Sequence, residues 1–180
     1  MKIAFYFVNE DYINFLKEKE IYHRGFTTVP NVVYSNREKF LYGTVLEVGE
    51  INYLVPVSSY ARKQQDNFLI KVSDHGKEKI VGSLRFNYMI PVPRKFLHVF
   101  NFKKEIDNQE RRVLVEKEYR FCRKHLATIR KRAKKTYDRV VNKVDQKLVK
   151  NSCDFPLLEK AYKDCIQENS LFVVERTMVN

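Results

Sequence analysis

The feature that most restricts the fold of this chain is a change of hydrophobic period at about Pro93. Before this proline, short apolar runs with the alternation of β-strands are separated by turn residues. After it, apolar residues recur every three to four positions with basic residues between them, which is typical of amphipathic helices. We therefore expect an α+β fold in which a small, curved antiparallel sheet or half-open barrel precedes long basic helices.

A hairpin is predicted in the middle of the β region. The runs Phe40–Val48 and Ile51–Val57 flank the turn signal at Gly49. Lys39 lies ten residues before this glycine and Ser58 nine after it, so both should lie at the same end of the hairpin. Upstream, Asn9 is placed to cap a short helix that reaches about Glu20.

The helical half predicts at least one break. An unbroken helix over residues 110–148 would be roughly 60 Å long, which is longer than a domain of this size is wide. A last helix is predicted from Asp154-Phe155-Pro156 to about Gln167. We expect one domain over residues 1–170 and a polar tail over 171–180.

The charge of the chain is concentrated in one segment. The 180 residues include 34 Lys and Arg against 22 Asp and Glu, a net charge of +12, and residues 94–150 alone carry the whole surplus. A segment this basic predicts contact with nucleic-acid phosphates, although the same residues are also compatible with a solvated helix face. The expected phosphate contacts on the basic helix are Arg130, Lys131, Arg132, Lys134 and Lys135.

Other features exclude several classes of protein. No apolar run is long enough to span a bilayer, and the N-terminus does not resemble a secretion signal, so a cytoplasmic protein with no membrane partner is expected. Cys122, Cys153 and Cys165 have no paired spacing that indicates a disulfide or zinc site. We expect no metal and no cofactor.

Hydroxyl and cationic side chains flank the predicted hairpin at the end where it opens. Hydroxyls and cations around a phosphodiester can stabilise the charge that builds on phosphorus without a metal, and the 2'-OH of RNA supplies the nucleophile. The alternative is that the serines form an ordinary turn, the cations are solvated, and Tyr12 and Tyr34 are core residues. The flanking residues are Tyr34, Arg37 and Lys39 before the hairpin and Ser58, Ser59, Arg62 and Lys63 after it.

An ordered series of short motifs resembles a known family. The match runs from about Met1 to about Gln167 and includes the helical Ile129, Ala133 and Tyr137. Together these motifs resemble the ToxN/AbiQ endoribonucleases of type III toxin-antitoxin systems, and among them most of all the CptN-type toxins. The motifs before the helices are Tyr12-Ile13 with Phe15-Leu16, Val33-Tyr34-Ser35-Asn36-Arg37, Phe40-Leu41-Tyr42-Gly43-Thr44-Val45-Leu46, Tyr53-Leu54-Val55-Pro56-Val57-Ser58-Ser59 and Asn87-Tyr88-Met89-Ile90-Pro91-Val92-Pro93.

This resemblance implies a fold, an activity and a partner. The fold would be a small, highly curved, partly closed antiparallel β-barrel wrapped by helices. The activity would be metal-independent RNA cleavage that leaves 2',3'-cyclic phosphate and 5'-hydroxyl ends, directed at cellular RNA in phage defence. The partner would be a repeat RNA antitoxin folded as a pseudoknot, which the toxin processes and with which it forms a closed hetero-oligomeric assembly.

The resemblance also assigns residues to the site. Tyr12, Tyr34, Ser58 and Ser59 match the tyrosines and the hydroxyl pair of the family's active site. The lysine after the second tyrosine aligns only approximately, so either Arg37 or Lys39 fills that role. The family has another lysine soon after the hydroxyl pair. In strict register this lysine falls on Ala61, so its role passes to Arg62 or Lys63. The expected catalytic residues are Ser59, Ser58, Tyr34, Lys39 and Lys63, and the expected RNA contacts beyond the basic helix are Tyr12, Arg37 and Arg62.

Two further functions are compatible with parts of the sequence. A non-catalytic RNA-binding protein would explain the basic helix without using the serine pair. A DNA-binding repressor fits less well because no helix-turn-helix spacing is visible.

Overall fold

The strands come almost entirely before the helices in the computed structural model, which describes residues 3–34, 37–74 and 76–177. Of residues 33, 34, 37, 38, 74 and 168–177 it describes the backbone alone. The strands are β1 (Ala4–Val8), β2 (Val33–Tyr34), β3 (Arg37–Glu38), β4 (Leu41–Val48), β5 (Ile51–Ser58), β6 (Asn67–Asp74), β7 (Lys77–Arg85), β8 (Ile90–Pro91) and β9 (Leu97–Val99). The helices are α1 (Glu10–Arg24), α2 (Phe102–Glu105), α3 (Gln109–Lys124), α4 (Leu126–Val141), α5 (Gln146–Lys150) and α6 (Phe155–Thr177).

Seven strands form one antiparallel sheet, in which six follow the order β6-β7-β5-β4-β1-β9 and the seventh, β8, lies off this path. β8 pairs with the first half of β5, and β7 pairs with its end. The short strands β2 and β3 pair only with each other. The predicted α+β class and antiparallel sheet are confirmed, and the sheet is not closed, since β6 and β9 stand at its two ends.

The predicted hairpin is formed by β4 and β5, with Val48 paired to Ile51 across the Gly49 turn. Gly49 has a φ of 57°, a left-handed conformation that glycine adopts without steric cost. A bulge between Gly43 and Leu46 then shifts the register by two residues.

The bulge decides which residues meet where the hairpin opens. Leu41 pairs with Pro56, and the N–H of Val57 donates to the carbonyl of Phe40 at 3.3 Å. If the pairing of Phe40 with Val57 continues by one residue, Lys39 lies opposite Ser58. The register found next to the Gly49 turn would instead place Lys39 opposite Tyr60.

Helix α1 begins where the sequence predicts and ends later. The Asn9 side chain accepts a hydrogen bond from the N–H of Tyr12 at 3.0 Å, and Gly25 ends the helix with a φ of 76°. The helix therefore runs to Arg24 rather than to about Glu20. Ile13 and Leu16 are fully buried in the hydrophobic core.

The predicted break in the long helical region is confirmed at His125, which separates α3 from α4. Each helix buries one stripe of side chains against the sheet. In α3 the stripe is Val115, Glu118 and Cys122, and in α4 it is Ile129, Ala133, Thr136 and Val140.

Helix α6 is longer than the sequence predicts. Its backbone continues to Thr177 rather than ending at about Gln167, because no glycine or proline interrupts residues 168–177. Residues 178–180 of the predicted tail lie outside the described part of the chain.

A buried carboxylate fixes the loop between α1 and β2. Glu20 is 0% exposed and accepts hydrogen bonds from the backbone N–H of Thr28 at 2.7 Å and of Asp154 at 2.6 Å. It also accepts from Thr27 at 2.8 Å and pairs with Arg24 at 3.0 Å. Both oxygens of the Glu20 carboxylate accept hydrogen bonds, and these bonds hold the end of α1, the following loop and the start of α6 together.

Candidate active site

A cavity of about 680 Å³, here called the site cavity, opens where β4 begins and β5 and β7 end. Helix α3 closes one side of it, and the loop held by Glu20 closes another. The lining consists of residues 27–32, 39–41 and 56–59 together with Val81, Arg85, Tyr88, Arg111, Leu114, Val115 and Glu118. Lys39, Ser58 and Ser59 therefore share one cavity, in agreement with the hairpin argument.

The serine pair is both a turn and part of the cavity wall. The Oγ of Ser58 accepts a hydrogen bond from the N–H of Tyr60 at 3.1 Å, which is a serine turn of the kind the sequence alternative describes. Ser83 donates to the carbonyl of Tyr60 at 2.6 Å and holds the same turn. Ser59 is exposed within this turn, so its hydroxyl faces accessible space.

Close strand packing fixes the position of the serine pair. Ser58 pairs with Ser83 on β7, next to Gly82. A Cβ atom built on Gly82 would lie 2.5 Å from the carbonyl oxygen of Ser58. Only a glycine at this position allows the two backbones to approach so closely.

Lys39 enters the site cavity from the other arm of the hairpin. Its backbone N–H donates to the carbonyl of Val32 at 2.6 Å, which ties the start of β4 to the loop after α1. The side chain is exposed and lines the cavity. The arrangement agrees with a cation placed beside the serine pair.

Arg85 is a cavity residue that the sequence analysis missed. Its guanidinium lies 4.3 Å from the ring centroid of Tyr88 and 5.7 Å from that of Tyr60, and it donates to the Tyr88 hydroxyl at 3.3 Å. Its Nε atom is buried and has no hydrogen-bond partner. A guanidinium held in place at a cavity wall is suited to bind an anionic oxygen. The signal was available, because Arg85 is the last residue of a strand just as Ser58 is.

Lys63 belongs to a second group outside the site cavity. Its ammonium donates to the carbonyl of Asn67 at 3.3 Å, and the guanidinium of Arg132 donates to the same oxygen at 3.0 Å. Burial and then the charge of Arg132 lower the pKa of Lys63. The Asn67 side chain also binds the carbonyl of Arg62 at 2.8 Å. The structure thus brings Arg62, Lys63 and Arg132 together, but it does not place Lys63 among the lining residues of the cavity.

Three further predicted site residues are Tyr12, which is buried in the core, and Tyr34 and Arg37, of which only the backbone is described. Tyr12 is only 2% exposed, stacks on Phe96 and donates to the carbonyl of Pro91 at 2.8 Å, so its predicted RNA contact stays a prediction. The side chains of Tyr34 and Arg37 lie outside the described part of the structure, although their backbones pair in the β2–β3 hairpin.

The basic face of α4 is mostly open to solvent. Arg130, Lys131 and Lys135 are exposed, whereas Arg132 is half-buried over the ring of Phe68. Lys134 is exposed but pairs with Asp138 at 2.8 Å, one helical turn away. Three of the five predicted phosphate contacts on this face therefore pair with no acidic residue in the described part of the structure.

Glu118 is the second cavity residue that the sequence analysis missed. It is 8% exposed, lines the site cavity from α3, and forms no hydrogen bond with any described residue. Burial raises the pKa of its carboxyl to about 7, and the charge of Arg111 acts in the opposite direction. A carboxyl of this kind can give or take a proton at neutral pH.

The described residues include neither a cluster of metal ligands nor a membrane-spanning helix. Within residues 3–34, 37–74 and 76–177, no three His, Cys, Asp or Glu side chains lie close enough together to hold a metal ion. No helix in this part of the chain is long and apolar enough to cross a membrane.

Solved structures share the fold. AbiQ, described as a lactococcal anti-phage endoribonuclease of a type III toxin-antitoxin system, has a TM-score of 0.73 at 24% identity, covering 93% of this chain and 99% of its own. A chain from a type III system in which a non-coding RNA pseudoknot selectively inhibits the toxin has a TM-score of 0.75 at 24% identity, covering 91% and 98%. The fold is thus one found in type III toxin-antitoxin systems.

Sequence comparison leads to the family. Endoribonuclease ToxN of Pectobacterium atrosepticum is 29% identical over 171 residues, which cover 90% of this chain and 93% of the relative. Endoribonuclease AbiQ of Lactococcus lactis subsp. lactis is 25% identical over 169 residues, which cover 88% and 87%. Residues 4–163 match the family model described as toxin ToxN of type III toxin-antitoxin systems, and the chain belongs to this family.

Proposed function

We propose that this protein is an endoribonuclease toxin that cleaves RNA in the site cavity without a metal ion. The observation that carries the proposal is the convergence of Lys39, Ser58, Ser59 and Arg85 on one cavity in a member of the ToxN toxin family. The named relatives are endoribonucleases, which supports the same activity here.

The proposed reaction uses the RNA as its own nucleophile. The 2'-oxygen forms a bond to phosphorus, the bond from phosphorus to the 5'-oxygen breaks, one proton leaves the 2'-OH and one reaches the 5'-oxygen. The products are a 2',3'-cyclic phosphate and a 5'-hydroxyl. Lys39, Arg85 and the serine hydroxyls would stabilise the charge on the non-bridging oxygens of the phosphorane.

The remaining predicted residues complete the proposal. Tyr34 and Lys63 would join Ser58, Ser59 and Lys39 in catalysis if RNA binding brings them to the phosphate. The residues proposed to bind RNA are Tyr12, Arg37, Arg62, Arg130, Lys131, Arg132, Lys134 and Lys135.

The proposed inhibitor is a repeat RNA folded as a pseudoknot. One structural relative comes from a system with selective toxin inhibition by a non-coding RNA pseudoknot, and the basic surface of this chain suits such a partner. We further propose that the toxin processes this RNA in the cytoplasm and forms a closed assembly with it.

The test compares Ser59→Ala, Lys39→Ala and Lys63→Ala with the wild type and with Ser73→Ala, a matched control at an exposed serine on β6. Each site variant should fold, bind the inhibitory RNA and fail to arrest growth, because the loss of one donor costs about 3 kcal/mol of transition-state stabilisation. The control should remain toxic. If Ser59→Ala cleaves RNA as fast as the wild type, the serine pair does not take part in the reaction. If the wild type itself cleaves no RNA, the non-catalytic RNA-binding alternative replaces this proposal.

A further inference from the structure

Helix α3 presents a single acidic side chain to the site cavity. Arg111, Leu114, Val115 and Glu118 all line the cavity and are spaced so that they share one face of this helix. Among the described lining residues, Glu118 is the only Asp or Glu, and it shares the cavity with the cations Lys39, Arg85 and Arg111.

Two buried glutamates in this protein have opposite surroundings. Glu20 is held by backbone N–H groups, hydroxyls and Arg24, as a structural carboxylate should be. Glu118 is 8% exposed, yet no described residue hydrogen-bonds to its carboxyl. The carboxyl oxygens of Glu118 are not among the buried side-chain atoms that lack a hydrogen-bond partner, so they reach the open space of the site cavity instead of being sealed in the core.

We propose that Glu118 is the general base that removes the proton from the attacking 2'-OH. This inference rests on the ribonuclease activity proposed above and names the residue that activates its nucleophile. The carboxylate takes the 2'-OH proton as the 2'-oxygen bonds to phosphorus, and the 5'-oxygen leaves with a proton from a second donor.

The groups around Glu118 are compatible with this role. Burial raises the pKa of its carboxyl to about 7, which is near the value that makes a base most effective at neutral pH. Arg111 on the same helix opposes this rise, and Lys39 and Arg85 face the cavity from the hairpin arm and the end of β7. Tyr88 lines the cavity as well, and Cys122, one turn along α3, is a buried thiol whose raised pKa keeps it neutral.

The test measures kcat/KM for RNA cleavage against pH in the wild-type protein, in Glu118→Gln and in Glu116→Gln. Glu116 is on α3 but pairs with Arg120 at 2.6 Å and does not line the site cavity, so it is a matched control. In the wild type and the control, kcat/KM should rise with pH through about 7 and then level. Glu118→Gln should lose at least about 100-fold and lack this rise, while it binds RNA as tightly as the wild type.

A second substrate distinguishes whether Glu118 acts as the general base or as the general acid. RNA with a sulfur atom in place of the 5'-bridging oxygen at the cleavage site has a leaving group that needs no proton. The defect of Glu118→Gln should persist on this substrate, because the 2'-OH still requires a base. A defect that disappears on it would assign Glu118 as the general acid and overturn the proposal.

The remaining outcomes are also decisive. If Glu118→Gln cleaves RNA at the wild-type rate, or if the wild-type profile shows no rise near pH 7, Glu118 is not the base. Both results leave the proposed ribonuclease function intact, since the wild type still cleaves. A wild-type protein that cleaves no RNA would instead contradict the proposed function itself.

Discussion

At the scale of single residues, the buried carboxyl of Glu118, which has no hydrogen bond to a described residue, makes folding stability depend on pH. Because the pKa of Glu118 is raised to about 7 in the folded protein, the folded state holds this proton more tightly than the unfolded state does. Folding stability therefore falls as the pH rises from the unfolded pKa of Glu118 through about 7, and the loss is complete above that value.

Replacing Glu118 with Gln should remove this loss. The variant should be more stable than the wild type at pH 8 by about 1 to 3 kcal/mol, and the difference should shrink at pH 4.5. Urea unfolding at both pH values measures it, with Glu116→Gln as the control. A difference that is the same at the two pH values would contradict the assigned burial of the Glu118 carboxyl.

Both missed site residues carried a signal that could have been used. Glu118 lies three residues after Val115 and four before Cys122, so helical spacing alone puts it on the buried face of α3. Glu118 was not singled out because the segment is rich in charged residues, and a glutamate among lysines and arginines is usually solvated. Burial without a partner depends on neighbours from other elements, and no pattern along the chain reports it.

At the scale of elements, the hairpin was predictable and its bulge was not. The turn at Gly49 and the apolar runs beside it have local signatures. The shift between Gly43 and Leu46 depends on packing against other strands, and it determines that Lys39 rather than a later residue faces Ser58. The open sheet likewise follows from long-range pairing, which the strand pattern does not specify.

The contact between β7 and β5 should be as important to activity as the hairpin. Gly82→Ala would place a Cβ atom 2.5 Å from the Ser58 carbonyl oxygen, so the backbone of the serine pair must move. We expect a folded protein that is less stable by about 1 to 3 kcal/mol and that cleaves RNA at least about tenfold more slowly.

The control for this substitution is Lys79→Ala, at an exposed position on the same strand. It should retain both stability and cleavage. Thermal unfolding and single-turnover cleavage measure the two properties separately. Full activity in Gly82→Ala would show that the position of the serine pair does not limit the reaction.

At the scale of the whole molecule, most of the surplus positive charge of residues 94–150 lies on α3 and α4. Arg130, Lys131 and Lys135 on α4 are exposed, whereas Arg132 is engaged with Asn67 and Phe68. The structure therefore separates residues that are free to contact phosphates from one that also supports a loop.

Replacing Arg130, Lys131 and Lys135 with Gln should flatten the salt dependence of binding to the inhibitory RNA. Each lost phosphate contact reduces the slope of log K against log salt by about 0.7 to 0.9. Lys160→Gln/Lys163→Gln on α6 is the control and should leave the slope nearly unchanged. An unchanged slope in the α4 variant would mean that this face is only solvated.

The most direct test of the central claim is to map the ends of RNA cut by the purified protein in excess EDTA. The claim is that the hydroxyls and cations of the site cavity cleave RNA through its own 2'-OH. We predict cleavage that survives chelation, leaves 2',3'-cyclic phosphate and 5'-hydroxyl ends, and is lost in Ser59→Ala. Cleavage that stops in EDTA and returns with a divalent ion, or that leaves 3'-hydroxyl and 5'-phosphate ends, would contradict it.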